Sequence, residues 1–206
     1  MKILAFSHLT FCLPEEAKSF GKDIFGNGTE TRVQNHANKK IFMDGQTSTH
    51  YLYWNKIGIE VTSYLNTRFN YPDSRNLAYK FLTDYASAPY QVKICYSPEF
   101  ISFLNEFGRL EKIGKNGFLL KGVGVFKDFK IFKDCTSPFS KPNQYLDEAG
   151  LSGIAVYIDS IAESMELTKT LGEVKSEPYK VCLRNRKFQV QFIKIGGVNI
   201  ELLSRN

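Results

Sequence analysis

Apolar and aromatic residues crowd positions 2–13 (KILAFSHLTFCL) with partial alternation, which predicts a strand. Pro14 suits the first turn of a helix, where Glu15 and Glu16 complement the positive helix end. Ala17, Phe20, Ile24 and Phe25 recur at helical spacing, and Gly26 closes the run. A polar stretch follows, with a short strand expected over Lys40–Met43. HYLYW (50–54) and KIGIEVTSYL (56–65) read as two strands joined by a tight Asn55-Lys56 turn. Residues 1–65 thus predict the order β-α-β-β-β.

The last 57 or so residues repeat that order. GLSGIAVYI (150–158) is a strand, Asp159-Ser160 can cap a helix over 160–172, and Gly172 ends it. PYKVCLRN (178–185) and KFQVQFIKI (187–195) form a hairpin-like pair, and a Gly196-Gly197 turn leads into a final strand, 196–204. Laid over each other, the two stretches align GIEVTS (58–63) with NIELLS (199–204) and so pair Glu60 with Glu201.

Residues 66–149 lie between the repeats. A short helix is expected near Asn76–Tyr85, a strand over 90–97, an amphipathic helix over 98–114 and further strands within 118–134. This middle β-α-β-β segment is either a degenerate third copy or an elaboration packed on the main sheet. Residues 134–149 read as a connection into the last unit.

Composition narrows the partners. Hydrophobic residues make up 43% and charged residues 23%, ordinary for a folded domain and unlike a disordered chain. The net charge of +6 is scattered over the chain rather than gathered into a basic run. It favours anionic or neutral ligands over cationic ones and does not by itself point to nucleic acid. No stretch approaches the length of a membrane span, and the N-terminus does not read as a signal peptide. Cys12, Cys95, Cys135 and Cys182 are widely spaced, with no C-x-x-C pair. Free thiols in a reducing cytoplasm are expected. No P-loop, G-x-G-x-x-G or G-x-S-x-G motif is present.

Three side chains stand out as candidate chemistry. If Leu9 and Phe11 face the helix, then His8, Thr10 and Cys12 face the opposite side of the first strand. Glu60 and Glu201 are lone carboxylates in apolar strands, where an unpartnered charge is costly. His50 starts a strand and is a minor candidate, whereas His36 reads as a surface-loop residue. Tyr51, Tyr53, Trp54 and Phe192 could line a cavity, and Lys56, Lys180, Arg184 and Lys194 could neutralise an anion.

The segments SHLTFCLPEEAKSFGKDIFG with GIEVTS, and GLSGIAVYIDSIAESMELTKTLG with GGVNIELLS, resemble modules of the vicinal oxygen chelate superfamily, which includes glyoxalases, extradiol dioxygenases and bleomycin-resistance proteins. The resemblance implies an α+β fold. Two βαβββ modules, 1–65 and 150–206, would form a curved, incomplete β-barrel around a cavity, with the segment 66–149 between them. It also implies a divalent ion (Fe, Mn, Zn, Ni or Mg) held at the positions of His8, Glu60, Gly153 and Glu201. Gly153 has no ligand-capable side chain, which leaves three ligands: His8, Glu60 and Glu201. The implied function is a glyoxalase-like metalloenzyme: an isomerase, epimerase, lyase or dioxygenase acting on a small oxygen-bearing substrate. Glu60 or Glu201 would move the proton. The alternative is a metal-free small-molecule binding or resistance protein. A small-molecule ligand, a monomer or homodimer, and no nucleic-acid or membrane partner complete the expectation.

Overall fold

The structure, a computed structural model, describes residues 2–34, 47–52, 58–64, 67–70, 73–124, 127–164, 170, 172–183 and 186–205, with backbone alone described for 29–34, 47–52, 107 and 183. Among the described residues it is an α+β arrangement with two sheets and no closed barrel. In chain order the elements of the first part are β1 (Ile3–Pro14), a 3-10 turn at Glu15–Ala17, α1 (Ser19–Phe25), β2 (Thr29–Gln34), β3 (Thr47–Leu52) and β4 (Ile59–Tyr64). The middle part contains α2 (Ser74–Ser87), β5 (Gln91–Ile94), α3 (Pro98–Phe107), β6 (Leu110–Ile113), β7 (Gly117–Leu120) and β8 (Phe129–Lys133). The last part contains β9 (Gly150–Ile158), β10 (Glu173–Val174), β11 (Tyr179–Leu183), β12 (Arg186–Ile195) and β13 (Val198–Arg205). The helix expected over 160–172 is helical at 161–164. The short strand expected over Lys40–Met43 and the turn at Asn55-Lys56 lie outside the described residues.

The large sheet has nine strands in the order β10-β12-β13-β9-β1-β4-β3-β2, with β11 also on β12. β10 pairs with residues 193 and 194 of β12, and β11 with 186–190, so both lie along the same long strand. Two relations set the centre. β1 runs parallel to β4, and β9 runs parallel to β13. β1 and β9 then meet antiparallel, with His8 opposite Ala155 and Thr10 opposite Gly153. Glu60 lies opposite Thr10, and Glu201 opposite Ala155. This register is consistent with a two-fold relation in which His8 corresponds to Gly153 and Glu60 to Glu201. The two repeats therefore join within one chain.

The sheet's faces separate cleanly. Leu9, Phe11 and Leu13 of β1 belong to the main core with Ile59, Val61, Ile154, Val156, Ile200 and Leu202. Burying each such side chain contributes about 1.5–3 kcal/mol. A second, smaller cluster of Ala155, Phe188, Val190 and Leu203 lies on the opposite face, with Tyr157, Val181 and Phe192 against it. The register of β1 with β9 shifts at three places, between Ile3 and Ala5, between Phe6 and His8, and between Thr10 and Phe11. At the second of these Ser7 is an extra residue. That bulge lets Phe6 join the main core beside Leu9 while His8 faces the other way.

The middle segment was expected as a third copy or as an elaboration packed on the main sheet. It builds its own four-stranded sheet, in the order β5-β8-β7-β6, packed through α2 and α3 on the core face of β1. Phe6 stacks on Phe129, and Phe11 stacks on Phe81. The helix expected over 98–114 stops at Phe107, where Gly108 caps it in extended backbone with its N–H on the Leu104 carbonyl, a position in which an added Cβ would meet that carbonyl oxygen at 2.6 Å. The chain turns instead into the β6–β7 hairpin through Gly114, whose φ of 61° lies in the region that favours glycine.

The cysteine expectation is corrected. Cys95 and Cys135 form a disulfide across the ends of β5 and β8. They are 40 residues apart, and the parallel pairing of these strands, not any local motif, brings them together. Of the free cysteines, Cys12 is buried and Cys182 is exposed. Among the described residues no helix is long and apolar enough to cross a membrane.

Candidate metal centre

His8, Glu60 and Glu201 arrive from β1, β4 and β13, three strands that the sequence holds far apart and the sheet brings together. One ligand atom from each lies within 4.8 Å of the others. His8 Nε2 is 3.5 Å from Glu60 Oε2 and 3.4 Å from Glu201 Oε2. The imidazole is buried, while the carboxylates keep some solvent contact, at 12% and 16% side-chain exposure. The cluster therefore has one buried nitrogen and two more exposed carboxylates.

Neighbouring hydroxyls orient these groups. Ser7 Oγ lies 3.0 Å from His8 Nδ1, a contact that the β1 bulge permits and that sets how the ring is turned. Thr10 donates its hydroxyl to Glu60 Oε2 at 3.2 Å. Thr10 is two residues from His8 and directly opposite Glu60, so β1 supplies both a site residue and its neighbour's anchor. Phe192 stands opposite Glu201, and Tyr179 stacks on Phe192 with ring centres 6.4 Å apart. Although Tyr179 is 42% exposed as a residue, burial of its hydroxyl end and then the charges of Glu201 and Glu60 push the phenol above its usual range.

Electrostatics follow from this packing. Burial works against a charged His8, but hydrogen bonds to Glu201 and Glu60 outweigh it and raise the imidazole to about 9. Without an ion, the group at neutral pH is an imidazolium between two carboxylates. An ion at the same place would take the role of that proton, because a ligating imidazole must be neutral. One nitrogen and two carboxylate oxygens suit a six-coordinate divalent ion with open positions. The donor set therefore fits such an ion.

The fourth position is closed for a steric reason. A Cβ on Gly153 would sit 2.9 Å from the Asn199 carbonyl oxygen, where neighbouring β13 comes close.

Other sequence candidates fall elsewhere. His50 lies on β3 opposite Thr62 in register, and its side chain is outside the described residues. His36, Tyr53, Trp54, Lys56 and Arg184 are outside them too, as is the side chain of Tyr51. Lys194 donates to the Gln144 carbonyl at the β10 edge of the sheet, away from the triad. Lys180 lies opposite Gln189 on β11. Ser7 and Tyr157, whose hydroxyls interact near His8, were missed, since a bulge leaves no mark in a hydrophobic pattern.

No family model matches the chain, and neither does any curated protein sequence. Solved structures that resemble it include an integron cassette protein from V. cholerae, at 11% identity over 56% of this chain and 91% of that one, TM-score 0.40. Another is a glyoxalase I variant from Zea mays, at 14% identity over 97% of this chain and 67% of that one, TM-score 0.35. A 4-hydroxymandelate synthase variant from Streptomyces coelicolor is similar at 8% identity over 99% and 93%, TM-score 0.29. Likenesses of this size assign neither a reaction nor a substrate.

Proposed function

We propose that this protein is a metal-dependent enzyme of the vicinal oxygen chelate type, with His8, Glu60 and Glu201 as ligands. The observation that carries the reading is the convergence of these three side chains from distant strands onto one point at the join of the two repeats. A divalent ion there would act as a Lewis acid toward adjacent oxygens of a small substrate. The chain's own residues would do the rest. His8 anchors the site from the interior, with its ring turned by Ser7. Glu60 is held by Thr10 and stays in place. Glu201 has His8 as its partner among the described residues and is the better placed of the two carboxylates to accept and return a proton. Tyr179, kept protonated, offers a hydroxyl on the same side. Proton transfer between adjacent carbons, as in isomerisation or epimerisation, uses this arrangement most directly. Lyase and dioxygenase chemistry belong to the same reading. The net charge of +6 favours an anionic or neutral substrate.

The second reading is a metal-free binding protein. It draws on Gly153, which carries no donor side chain, and on a triad whose carboxylates are partly neutralised by the His8 proton. Calorimetric titration of chelator-treated protein with Mn, Zn, Ni and Fe(II) separates the two. One ion per chain is expected, with affinity at least a hundredfold weaker in Glu201→Gln. Absence of binding by folded protein would remove the enzyme reading in favour of the binder.

A further inference from the structure

A cavity of about 750 Å³ lies in the middle segment, between α2 and β5. Leu77, Phe81 and Tyr85 of α2 form its apolar side, and Gln91, Val92 and Lys93 of β5 face them. β5 is the end strand of its sheet. Its inner groups are spent on β8: the Tyr90 and Ile94 carbonyls accept from Lys130 and Asp134 amides. The alternation of a parallel ladder therefore turns the N–H and C=O of Gln91 and Lys93 outward, toward the cavity. The next outward amide, Cys95, is already bonded to the Ser140 carbonyl at 2.6 Å. The Cys95–Cys135 disulfide ties that wall down. What remains is a short open window of strand edge beside an apolar helix face.

Unpaired strand edges are usually covered or blunted, because they template the addition of another strand. Here the edge borders a hollow rather than a covering element. We infer that this cavity is a docking site for an extended peptide, which adds as a fifth strand along β5. Main-chain bonds to Gln91 and Lys93 hold it, and its side chains alternate between two environments. One set meets Leu77, Phe81 and Tyr85. The other meets the face of Lys93 and Phe132, which lie opposite each other in register. Charge selects the second set. Lys80 is paired with Asp84 at 2.6 Å, and Asp134 is held by the amide and hydroxyl of Thr136. Lys93 has no carboxylate at ion-pair distance among the described residues. The occupant is thus a peptide in which apolar and acidic residues alternate.

The test uses the full chain and a fluorescein-labelled peptide, Glu-Leu-Glu-Leu-Glu, followed by fluorescence anisotropy. Binding in the micromolar range is expected, weakened at least tenfold by Lys93→Glu, a change at an exposed position. Two further peptides, N-methylated on alternate amides in opposite registers, report on the ladder. One should lose at least tenfold and the other should bind as the parent does. Amide exchange at Gln91 and Lys93 should slow when the parent peptide is bound. No binding at 1 mM peptide, equal binding of the two methylated peptides, or protection confined to other strands would each overturn the proposal. Binding that survives Lys93→Glu unchanged would overturn the charge selection and with it the stated occupant.

Discussion

At the scale of single residues, His8 carries the most information. Its ordinary value of 6.5 is raised to about 9 in the folded, ion-free protein. A group raised on folding contributes stability that is complete below its unfolded value and fades as pH climbs through its folded value. Denaturant unfolding with chelator present should therefore show the protein losing stability between pH 6.5 and about 9. The loss should shrink in His8→Gln, so the wild-type minus variant difference isolates this residue. With a bound ion the sign reverses over the lower part of that range, since the ion competes with the proton. His8 was legible in the sequence because it interrupts an apolar strand. Ser7 beside it was not, because its role depends on one extra residue in the pairing with β9.

At the scale of elements, the close approach of β13 to β9 governs the site as firmly as the ligands do. Gly153→Ala places a methyl group 2.9 Å from a backbone oxygen that is fixed in the sheet. We expect a loss of about 1–3 kcal/mol, measured by thermal or urea unfolding, the range for overpacking a filled interior. Gly153→His should lower stability further and leave metal affinity no tighter, measured by the same titration, because the backbone and not the lack of an imidazole closes that position. β1, β3, β4, β9, β11, β12 and β13 were readable from alternation and from the matched GIEVTS and NIELLS segments, whereas β2 was not, because Thr29–Gln34 lies in a polar stretch. The end of α3 was not. Leu110 and Ile113 continue the apolar pattern of the helix, although Gly108 caps it and the chain goes on as β6.

At the scale of the whole molecule, the middle segment is tied by a covalent bond that spacing alone could not disclose. In the native state, one thiol, Cys182, should react with Ellman's reagent, since burial pushes Cys12 up to about 12 and hides it. Unfolding without reductant should expose two thiols and unfolding with reductant four. A native count of three or four would contradict the disulfide. Replacing both Cys95 and Cys135 by Ser removes the constraint on a loop of about 40 residues and should cost roughly 3–4 kcal/mol of stability. β1 with β4 and β9 with β13 pair in matching parallel registers, as the matched GIEVTS and NIELLS segments led one to expect. In the middle segment β5, β7 and β8 were legible as strands, but their separate sheet was not, because pairing is set by contacts between residues distant in sequence.

The antiparallel meeting of β1 and β9 has a mechanical consequence. His8 and Glu60 lie on one side of that seam and Glu201 on the other, so neither repeat owns a complete set of donors. An ion captured there would be a clasp, joining the opening strand of the chain to its last one. It would stiffen the junction against prying apart, so the halves would be expected to open together, not in turn. Chemistry and cohesion would then rest on the same three atoms.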